Sequence, residues 1–267
     1  MAVIDTSAMR IIDLEFPRTE GMPEFPTHKP GYAFTLYQRH EDTRGTSGIR
    51  SGAFGQLHGT EHAGTHIDAL SHQAECLTLH GGLPVTPELQ TPTGFTSLAA
   101  EDLQPIFADG ILLDVAALKG VEVLEPYYPV TADDLAACCE RQNVTIAENS
   151  VVLVYLGQGR YWHDEDRYLA APGMDRSASE WLAERKVQAV GADNICWDVP
   201  GLWDDTLGCT LPGHIVLLVR AGILIIENLD LAELAASGHS QFLFVSVPLK
   251  LVGATGSPIR PLALVPR

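Results

Sequence analysis

The amino-acid sequence predicts an α/β protein built on one mixed sheet. The chain has 267 residues, of which 46% are hydrophobic and 19% charged, a balance that can bury a sizeable core. Short apolar runs rich in β-branched residues alternate with helical patterns through the second half of the chain. At this length, one large domain covering residues 1–267 is favoured over two smaller ones.

Strand composition recurs along the whole chain. The run SVVLVYLG at 150–157 is short, apolar and β-branched, as expected of a strand that is buried on both faces. The tail at 242–265 is interrupted by a Gly/Pro turn and should supply one or two closing strands. The other segments expected to be strands are 11–16, 110–118, 188–194 and 223–229.

Helices are predicted from their capping residues and their apolar spacing. Thr131 is expected to cap a helix that has acidic residues in its first turn. Ser177, with Glu180 three residues later, is expected to cap a second helix, and Gly222 should end a third. The predicted helices are 131–142, 177–186, 214–222 and 231–237.

The charge and cysteine content limit the possible partners and compartment. The formal net charge of −17 would repel nucleic acid and anionic membrane surfaces. Five cysteines without a C-x-x-C pair argue against a disulfide framework and favour the reducing cytoplasm. The start of the chain does not resemble a secretory signal, and the apolar stretch 215–226 is too short to cross a bilayer. We therefore expect a cytoplasmic protein that acts on a small molecule.

Several common enzyme signatures are absent from the sequence. There is no G-x-S-x-G nucleophile elbow, no phosphate-binding G-x-x-x-x-G-K-[ST] loop and no G-x-G-x-x-G dinucleotide fingerprint. Nucleotide chemistry and serine-based hydrolysis are therefore disfavoured.

Histidines are concentrated in one short segment. Five of the ten fall between positions 58 and 80, and His62, His66 and Asp68 form the pattern H-x-x-x-H-x-D. Two imidazoles and a carboxylate are typical ligands of catalytic zinc or manganese. In a straight strand His62 and His66 would lie roughly 13 Å apart, so we expect a turn or short helix that bends at Gly64 and brings both rings to one ion.

A structural role for these histidines stays open on spacing alone. Any of them could be a polar loop residue or a hydrogen-bonded core side chain, and this is the favoured interpretation for His58 and His80.

The histidine segment also carries a family resemblance. HAGTHIDALSH at 62–72 resembles the H-x-G-T-H-x-D-x-x-x-H signature of the cyclase-like metal-dependent hydrolases, which include bacterial kynurenine formamidases and isatin hydrolases. Similarity extends to GMPEFP at 21–26, VGADN at 190–194 and PLKLVGATGSPIRP at 248–261. The resemblance implies a single mixed-sheet domain of the swivelling β/β/α (cyclase-like) type, and a homodimer or larger oligomer.

The resemblance also implies roles for particular residues. His62, His66 and Asp68 would bind a first Mn²⁺ or Zn²⁺ ion, and His72 falls on the general acid/base histidine. Further ligands, His214 and Glu227, match a second-metal site of the formamidase branch, although their spacing departs from that branch. Whether one or two ions bind therefore stays open.

The aromatic residue of the GMPEFP loop, Phe25, matches a substrate-lining position of the family. Phe25, Trp162 and Trp197 are all candidates for the substrate pocket, although such residues more often pack in the core or at its rim.

The expected reaction is hydrolysis of the C–N bond of a small cyclic or aryl amide. A bound divalent ion acidifies water and polarises a carbonyl, so that no nucleophilic side chain is needed. Alternatives are an arylformamidase acting on N-formylkynurenine, a lactonase or dehydratase on the same scaffold, and a non-catalytic metal-binding protein.

Overall fold

The computed structural model describes residues 8–46 and 48–267. Its strands are β1 (Met9–Asp13), β2 (Ala33–Gln38), β3 (Phe54–His58), β4 (His66–Asp68), β5 (Thr78–Leu79), β6 (Leu83–Pro84), β7 (Gln90–Thr91), β8 (Gly94–Phe95), β9 (Ile106–Asp114), β10 (Pro129–Val130), β11 (Val151–Tyr155), β12 (Gly173–Met174), β13 (Ala189–Ala192), β14 (Trp203–Asp204), β15 (Cys209–Thr210), β16 (Leu224–Glu227), β17 (Gln241–Ser246), β18 (Gly256–Pro258) and β19 (Leu262–Pro266).

The helices are short. The α-helices are α1 (Val115–Lys119), α2 (Ala132–Gln142), α3 (Glu165–Leu169), α4 (Arg176–Glu184), α5 (Pro212–His214) and α6 (Ala232–Ala236), and a π-helix, Ile215–Ala221, continues directly from α5. Short 3-10 helices cover His40–Thr43, His80–Gly82, Ala100–Asp102 and Gln158–Tyr161. No helix of the described residues is long and apolar enough to cross a membrane.

Nine strands form the central sheet, in the order β1-β19-β17-β9-β11-β13-β16-β4-β18. The four middle strands, β9, β11, β13 and β16, run parallel, and the strands flanking them on both sides pair antiparallel. β11, β13, β16 and the second half of β9 are buried on both faces, which explains why these segments are continuously apolar rather than alternating. The predicted mixed-sheet α/β fold class is thus confirmed.

Hydrophobic clusters cover both faces of this sheet. On one face, α2, α4 and the π-helix pack against residues such as Val152, Val154 and Ile225. On the other face, the outer strands and α6 enclose Leu153, Ile226 and Phe244. Alternate residues of β11 therefore belong to different cores, as the two-residue repeat of a strand requires.

The sequence located most elements but misplaced some ends. The predicted strand 110–118 begins earlier, at Ile106, and stops at Asp114, whose side chain caps α1 by accepting a hydrogen bond from Ala117 N (2.8 Å). The N-cap of α4 is Asp175, so the prediction of Ser177 was wrong. The tail holds three strands rather than one or two. Thr131 and Gly222 cap their helices as predicted.

Strands β2 and β3 form an isolated hairpin, residues 33–58, which we call the arm. Its strands pair only with each other within the described residues, and no described residue of the arm is buried. Large apolar side chains are exposed along it, including Tyr37 (70%) and Leu57 (72%). The arm therefore lacks the core packing that stabilises the strands of the central sheet. Isolated two-stranded hairpins are only marginally stable in water.

Candidate metal centre

Strand β4 places two polar side chains on one side of the sheet. Successive residues of a strand face opposite ways, so His66 and Asp68 point together, while Ile67 points into the second hydrophobic cluster. β4 pairs with β16 so that His66 lies directly opposite Glu227, the last residue of its strand. His66, Asp68 and Glu227 therefore share one edge of the sheet.

A tight turn before β4 adds His62 to this edge. The chain bends at Gly64, which has a φ of 65°. Glycine adopts this left-handed conformation without steric cost. Arg18 donates to the carbonyls of Ala63 and Thr65, and the Asn228 amide donates to the carbonyl of Gly64 (3.1 Å). With the turn fixed in this way, Nδ1 of His62 lies 3.0 Å from Oδ1 of Asp68. The predicted bend at Gly64 is observed.

His214 reaches the same cluster from the end of α5. Asp198 accepts hydrogen bonds from the backbone N–H groups of Gly213 (2.5 Å) and His214 (3.1 Å), and its carboxylate lies 2.6 Å from His214 Nδ1. This grip aims the other ring nitrogen, Nε2, at Glu227 (3.2 Å) and Asp68 (3.7 Å). The structure thus brings together all five residues that the sequence predicted as ligands: His62, His66, Asp68, His214 and Glu227.

Each of these three imidazoles is held through its outer nitrogen. His62 Nε2 lies 2.9 Å from the hydroxyl of Thr255, and His66 Nδ1 lies 2.8 Å from the carbonyl of Gly64. Asp198 plays the same part for His214. A proton on the outer nitrogen leaves a lone pair on the inner one, and such second-sphere partners are typical of metal-binding histidines.

The inner atoms of the cluster have no hydrogen-bond partners. His62 Nδ1, His66 Nε2 and both oxygens of Asp68 are buried without one, although the two nitrogens lie 3.0 and 3.4 Å from Oδ1 of Asp68. Buried polar atoms in this condition are rare and costly. Imidazole nitrogens and carboxylate oxygens are typical ligand atoms of divalent ions, so these unpartnered buried atoms fit a divalent metal ion.

Three sets of side chains could each hold an ion. The possible ligand atoms within each set all lie within 4.8 Å of one another, and the sets are His62/Asp68/His72, His66/Asp68/Glu227 and Cys196/His214/Glu227. Asp68 and Glu227 each belong to two sets, so the carboxylates link neighbouring positions.

Electrostatic interactions keep the carboxyl group of Asp68 ionised. Burial acts to raise the pKa of Asp68, but the surrounding imidazoles hold that pKa well below its ordinary value. Burial acts to lower the pKa of His214, yet Asp198 and Glu227 raise it well above its ordinary value. A metal ion that takes Nε2 of His214 must therefore displace a proton.

His72 lies beside the cluster and is neutral at physiological pH. Its ring centre is 4.2 Å from that of His62 and 6.1 Å from that of His214. Burial lowers the pKa of His72 to about 3, with the neighbouring imidazoles adding to the effect and Asp68 opposing it. The structure therefore places the predicted acid/base residue at the cluster as a neutral imidazole, which at this pKa is a weak base.

Phe25 approaches the cluster through a residue that sequence reasoning missed. The Phe25 ring lies 5.4 Å from that of His28, which in turn lies 5.0 Å from His62 and 6.0 Å from His72. Both belong to the proline-rich loop after β1, where a histidine between two prolines was the available signal. Phe25 and His28 are only partly buried, as residues at the mouth of a site would be.

Other aromatic and histidine candidates lie elsewhere. Trp162 stacks on Phe16 and is 2% exposed, and Trp197 is fully buried in the first hydrophobic cluster, so both take the core-packing role favoured for them. His58 is exposed on the arm, and His80 lies 3.0 Å from the carbonyl of Val219. Both take the structural roles favoured for them.

Two supporting residues were also missed, Asp198 and Thr255. Thr255 contacts the ring of His62, and Asp198 contacts the ring of His214. The local sequence around Thr255 and Asp198 gave no indication of these contacts. Cys196 was missed as well, because it has no partner cysteine or histidine at a metal-site spacing.

The fold and the cluster together define an α/β protein with a histidine–carboxylate site suited to a divalent metal ion. Residues 12–199 match the profile of the family described as Putative cyclase, and the chain belongs to this family.

Two curated relatives and one solved structure show this similarity. The chain is 29% identical to the kynurenine formamidase of Bordetella avium (strain 197N) over 199 residues, covering 74% of each chain. It is 29% identical to the isatin hydrolase of Roseibium aggregatum over 217 residues, covering 78% of this chain and 73% of the relative. The crystal structure of a novel cyclase superposes with a TM-score of 0.83 at 26% identity, covering 95% of this chain and 86% of the other.

Proposed function

We propose that this protein is a metal-dependent hydrolase that cleaves the C–N bond of a small cyclic or aryl amide. One observation carries the proposal: four buried polar atoms of His62, His66 and Asp68 have no hydrogen-bond partner. These three residues are the proposed ligands of the first ion. Curated relatives named as an isatin hydrolase and a kynurenine formamidase support amide hydrolysis as the reaction.

His72 is the proposed general acid/base. When bound, a divalent ion lowers the pKa of water toward neutrality and polarises a carbonyl oxygen. We propose that His72, whose ring centre lies 4.2 Å from that of His62, takes a proton from the attacking water and returns it to the departing nitrogen. Gly64 and Arg18 contribute by fixing the turn that directs His62 toward Asp68.

The ion is proposed to be Mn²⁺ or Zn²⁺, since imidazole and carboxylate ligands suit both. His214 and Glu227 are proposed to hold a second ion, with Asp68 between the two positions. The contacts of His214 Nε2 with Glu227 Oε1 and Asp68 Oδ2 support this arrangement.

The substrate is proposed to place an aromatic ring beside the scissile bond, against Phe25 and His28. An isatin-like lactam is the main candidate, and N-formylkynurenine is the second. The second rests on the relatives named kynurenine formamidase. Lactone hydrolysis or dehydration would use the same residues, because the pocket rather than the cluster selects the substrate.

The experiment is a substrate comparison with the protein loaded with manganese or zinc. Turnover of isatin, measured by loss of its absorbance, is expected for the wild type, and N-formylkynurenine is tested in parallel. His72→Ala should retain the metal and lose turnover, whereas the exposed His163→Ala should keep both. Turnover of neither substrate, nor of a wider amide and lactone panel, would favour a non-catalytic metal-binding protein.

A homodimer or larger assembly is proposed, with the arm seated on a second copy. Residues 33–58 carry a net charge of +1, so the rest of the chain carries −18, and an arm with exposed apolar side chains is complementary to an acidic body. The arm lies between His28 and His62 in the sequence, so contact of the arm with a second copy would couple assembly to the site.

The proposed compartment is the cytoplasm. All five cysteines are free, which supports a reducing compartment of this kind.

Light scattering coupled to size-exclusion chromatography tests this assembly. The wild type should run as a dimer or larger, and Leu57→Asp on the arm should run as a monomer. Val121→Asp changes an exposed residue elsewhere and should leave the assembly intact. A monomeric wild type, or an unchanged Leu57→Asp protein, would refute the arm as the contact.

A further inference from the structure

Cys196 lies at the polar cluster rather than in an apolar core alone. The residue follows β13, is 2% exposed and belongs to the third hydrophobic cluster, yet its sulfur is within 4.8 Å of ligand atoms of both His214 and Glu227. The other buried cysteine, Cys138, packs within the first cluster. A buried cysteine is usually a small apolar residue, and Cys138 fits this role, whereas Cys196 has both apolar neighbours and two possible metal ligands beside it.

The two residues after Cys196 hold the same histidine and glutamate. Trp197 donates its backbone N–H to Glu227 Oε1 (2.9 Å), and Asp198 lies 2.6 Å from His214 Nδ1. Three consecutive residues therefore contribute to the same position. Cys196 offers a sulfur atom, Trp197 orients Glu227 and Asp198 orients His214.

An unpaired carboxylate oxygen points toward the same space. Asp68 Oδ2 is buried without a hydrogen-bond partner and lies 3.7 Å from Nε2 of His214. This oxygen is independent of the cysteine and is a further unpartnered ligand atom beside His214.

We propose that Cys196, His214 and Glu227 form a second metal position with a sulfur ligand. This inference rests on the proposed function, since it adds a ligand to the same centre. On binding, the S–H bond breaks, the thiolate sulfur bonds to the ion and the proton leaves to the solvent. Sulfur, nitrogen and oxygen ligands together favour a borderline-soft ion such as Zn²⁺ or Co²⁺, whereas the residues proposed for the first ion, His62, His66 and Asp68, offer only nitrogen and oxygen and accept Mn²⁺ as well.

Cobalt titration of the metal-free full-length protein tests the sulfur ligand directly. The wild type is expected to develop a near-ultraviolet thiolate-to-cobalt charge-transfer band, and Cys196→Ser should lose this band. Its affinity for the second ion should fall about 10- to 100-fold or more, since outer-sphere changes alone have effects of that size. Cys138→Ser, which changes a buried cysteine away from the cluster, should keep the band. Circular dichroism melts establish that each variant is folded.

The outcomes separate this inference from the proposed function. Cobalt binding by the wild type without a thiolate band, or a band that survives in Cys196→Ser, overturns the sulfur ligand and leaves the first ion in place. No cobalt binding at all overturns the metal centre itself. A band that disappears in Cys196→Ser while one equivalent of cobalt stays bound supports both.

Discussion

The ring of His62 lies 2.9 Å from the hydroxyl of Thr255, a residue 193 positions further along the chain. The same hydroxyl donates to the carboxylate of Glu61 (3.0 Å). Because the hydroxyl proton is used by Glu61, the Thr255 oxygen accepts from His62 Nε2, and the lone pair of Nδ1 is left facing Asp68. The closing segment of the chain thereby determines which nitrogen of His62 is free for a metal ion.

Loss of the Thr255 hydroxyl should weaken metal binding. In Thr255→Val nothing fixes the tautomer of His62, so the affinity for the first ion should fall about 10- to 100-fold. Thr255→Ser keeps the hydroxyl and should stay near the wild-type value. Competition with a chelating dye measures both, and equal affinities for the valine and serine variants would show that this contact is not used.

Replacing Asp198 by Asn should disturb His214 specifically. The carboxylate accepts two backbone N–H groups and faces the imidazole, whereas an amide has one oxygen and presents donors to donors. The affinity for the second ion should fall about 10- to 100-fold while the first ion stays bound. Isothermal titration with Zn²⁺ resolves the two events. Asp205→Asn, at an exposed position, is the control and should change neither.

Gly64→Ala should lower both stability and metal affinity. A side chain at a φ of 65° costs about 1–2 kcal/mol in unfolding free energy. The added carbon would also lie 3.1 Å from Arg18 Nη1 and 3.3 Å from Met22, which crowds the turn that carries His62. Urea unfolding and metal titration measure the two effects.

Gly81 provides the matched control for this variant. It has a φ of 73°, but an added carbon there meets nothing within 4 Å. Gly81→Ala should therefore lose similar stability and keep its metal. Unchanged metal affinity in Gly64→Ala would mean that the turn does not position His62.

Asp193 should make the protein less stable as the pH rises. Burial raises the pKa of this carboxyl to about 7, with the backbone N–H groups of Leu156 and Gly159 opposing the shift. A carboxyl with a raised pKa in the folded state stabilises the protein fully below its unfolded pKa, near 3.8, and this contribution is lost as the pH approaches 7.

The side chain in Asp193→Asn cannot ionise, so comparison with the wild type isolates the pH-dependent contribution of the Asp193 carboxyl group to stability. Between pH 5 and 8 its unfolding free energy should improve relative to the wild type by roughly 2–3 kcal/mol. Urea unfolding of both proteins across this range provides the comparison. Parallel stability curves would contradict a protonated Asp193 in the folded protein at low pH.

Local sequence patterns located the residues proposed to bind the first ion but not the residues that hold their side chains in place. The spacing of His62 and His66 required a bend, and the glycine between them supplies it. Which nitrogen each ring presents depends on Thr255 and Asp198, which approach only when distant parts of the chain fold together. Family resemblance, rather than periodicity, indicated His214 and Glu227.

Competing local signals explain the errors in the secondary structure. Asp175 and Ser177 are both good helix caps, and the aspartate accepts from Ala178 N (3.0 Å), while Ser177 accepts from Ala132 N (3.1 Å) in the neighbouring helix. Ser177 therefore connects α2 and α4 instead of beginning one of them. The arm has no core face, so its strands follow no burial pattern that the sequence could reveal.

Metal content of purified His66→Ala tests the central claim most directly. His66 lies opposite Glu227 and beside Asp68, and its inner nitrogen has no other buried partner. Elemental analysis should find at least one divalent ion per chain in the wild type and in the exposed control His163→Ala, and should find that His66→Ala has lost it. Equal metal content in all three proteins would contradict the assignment of this cluster as the metal centre.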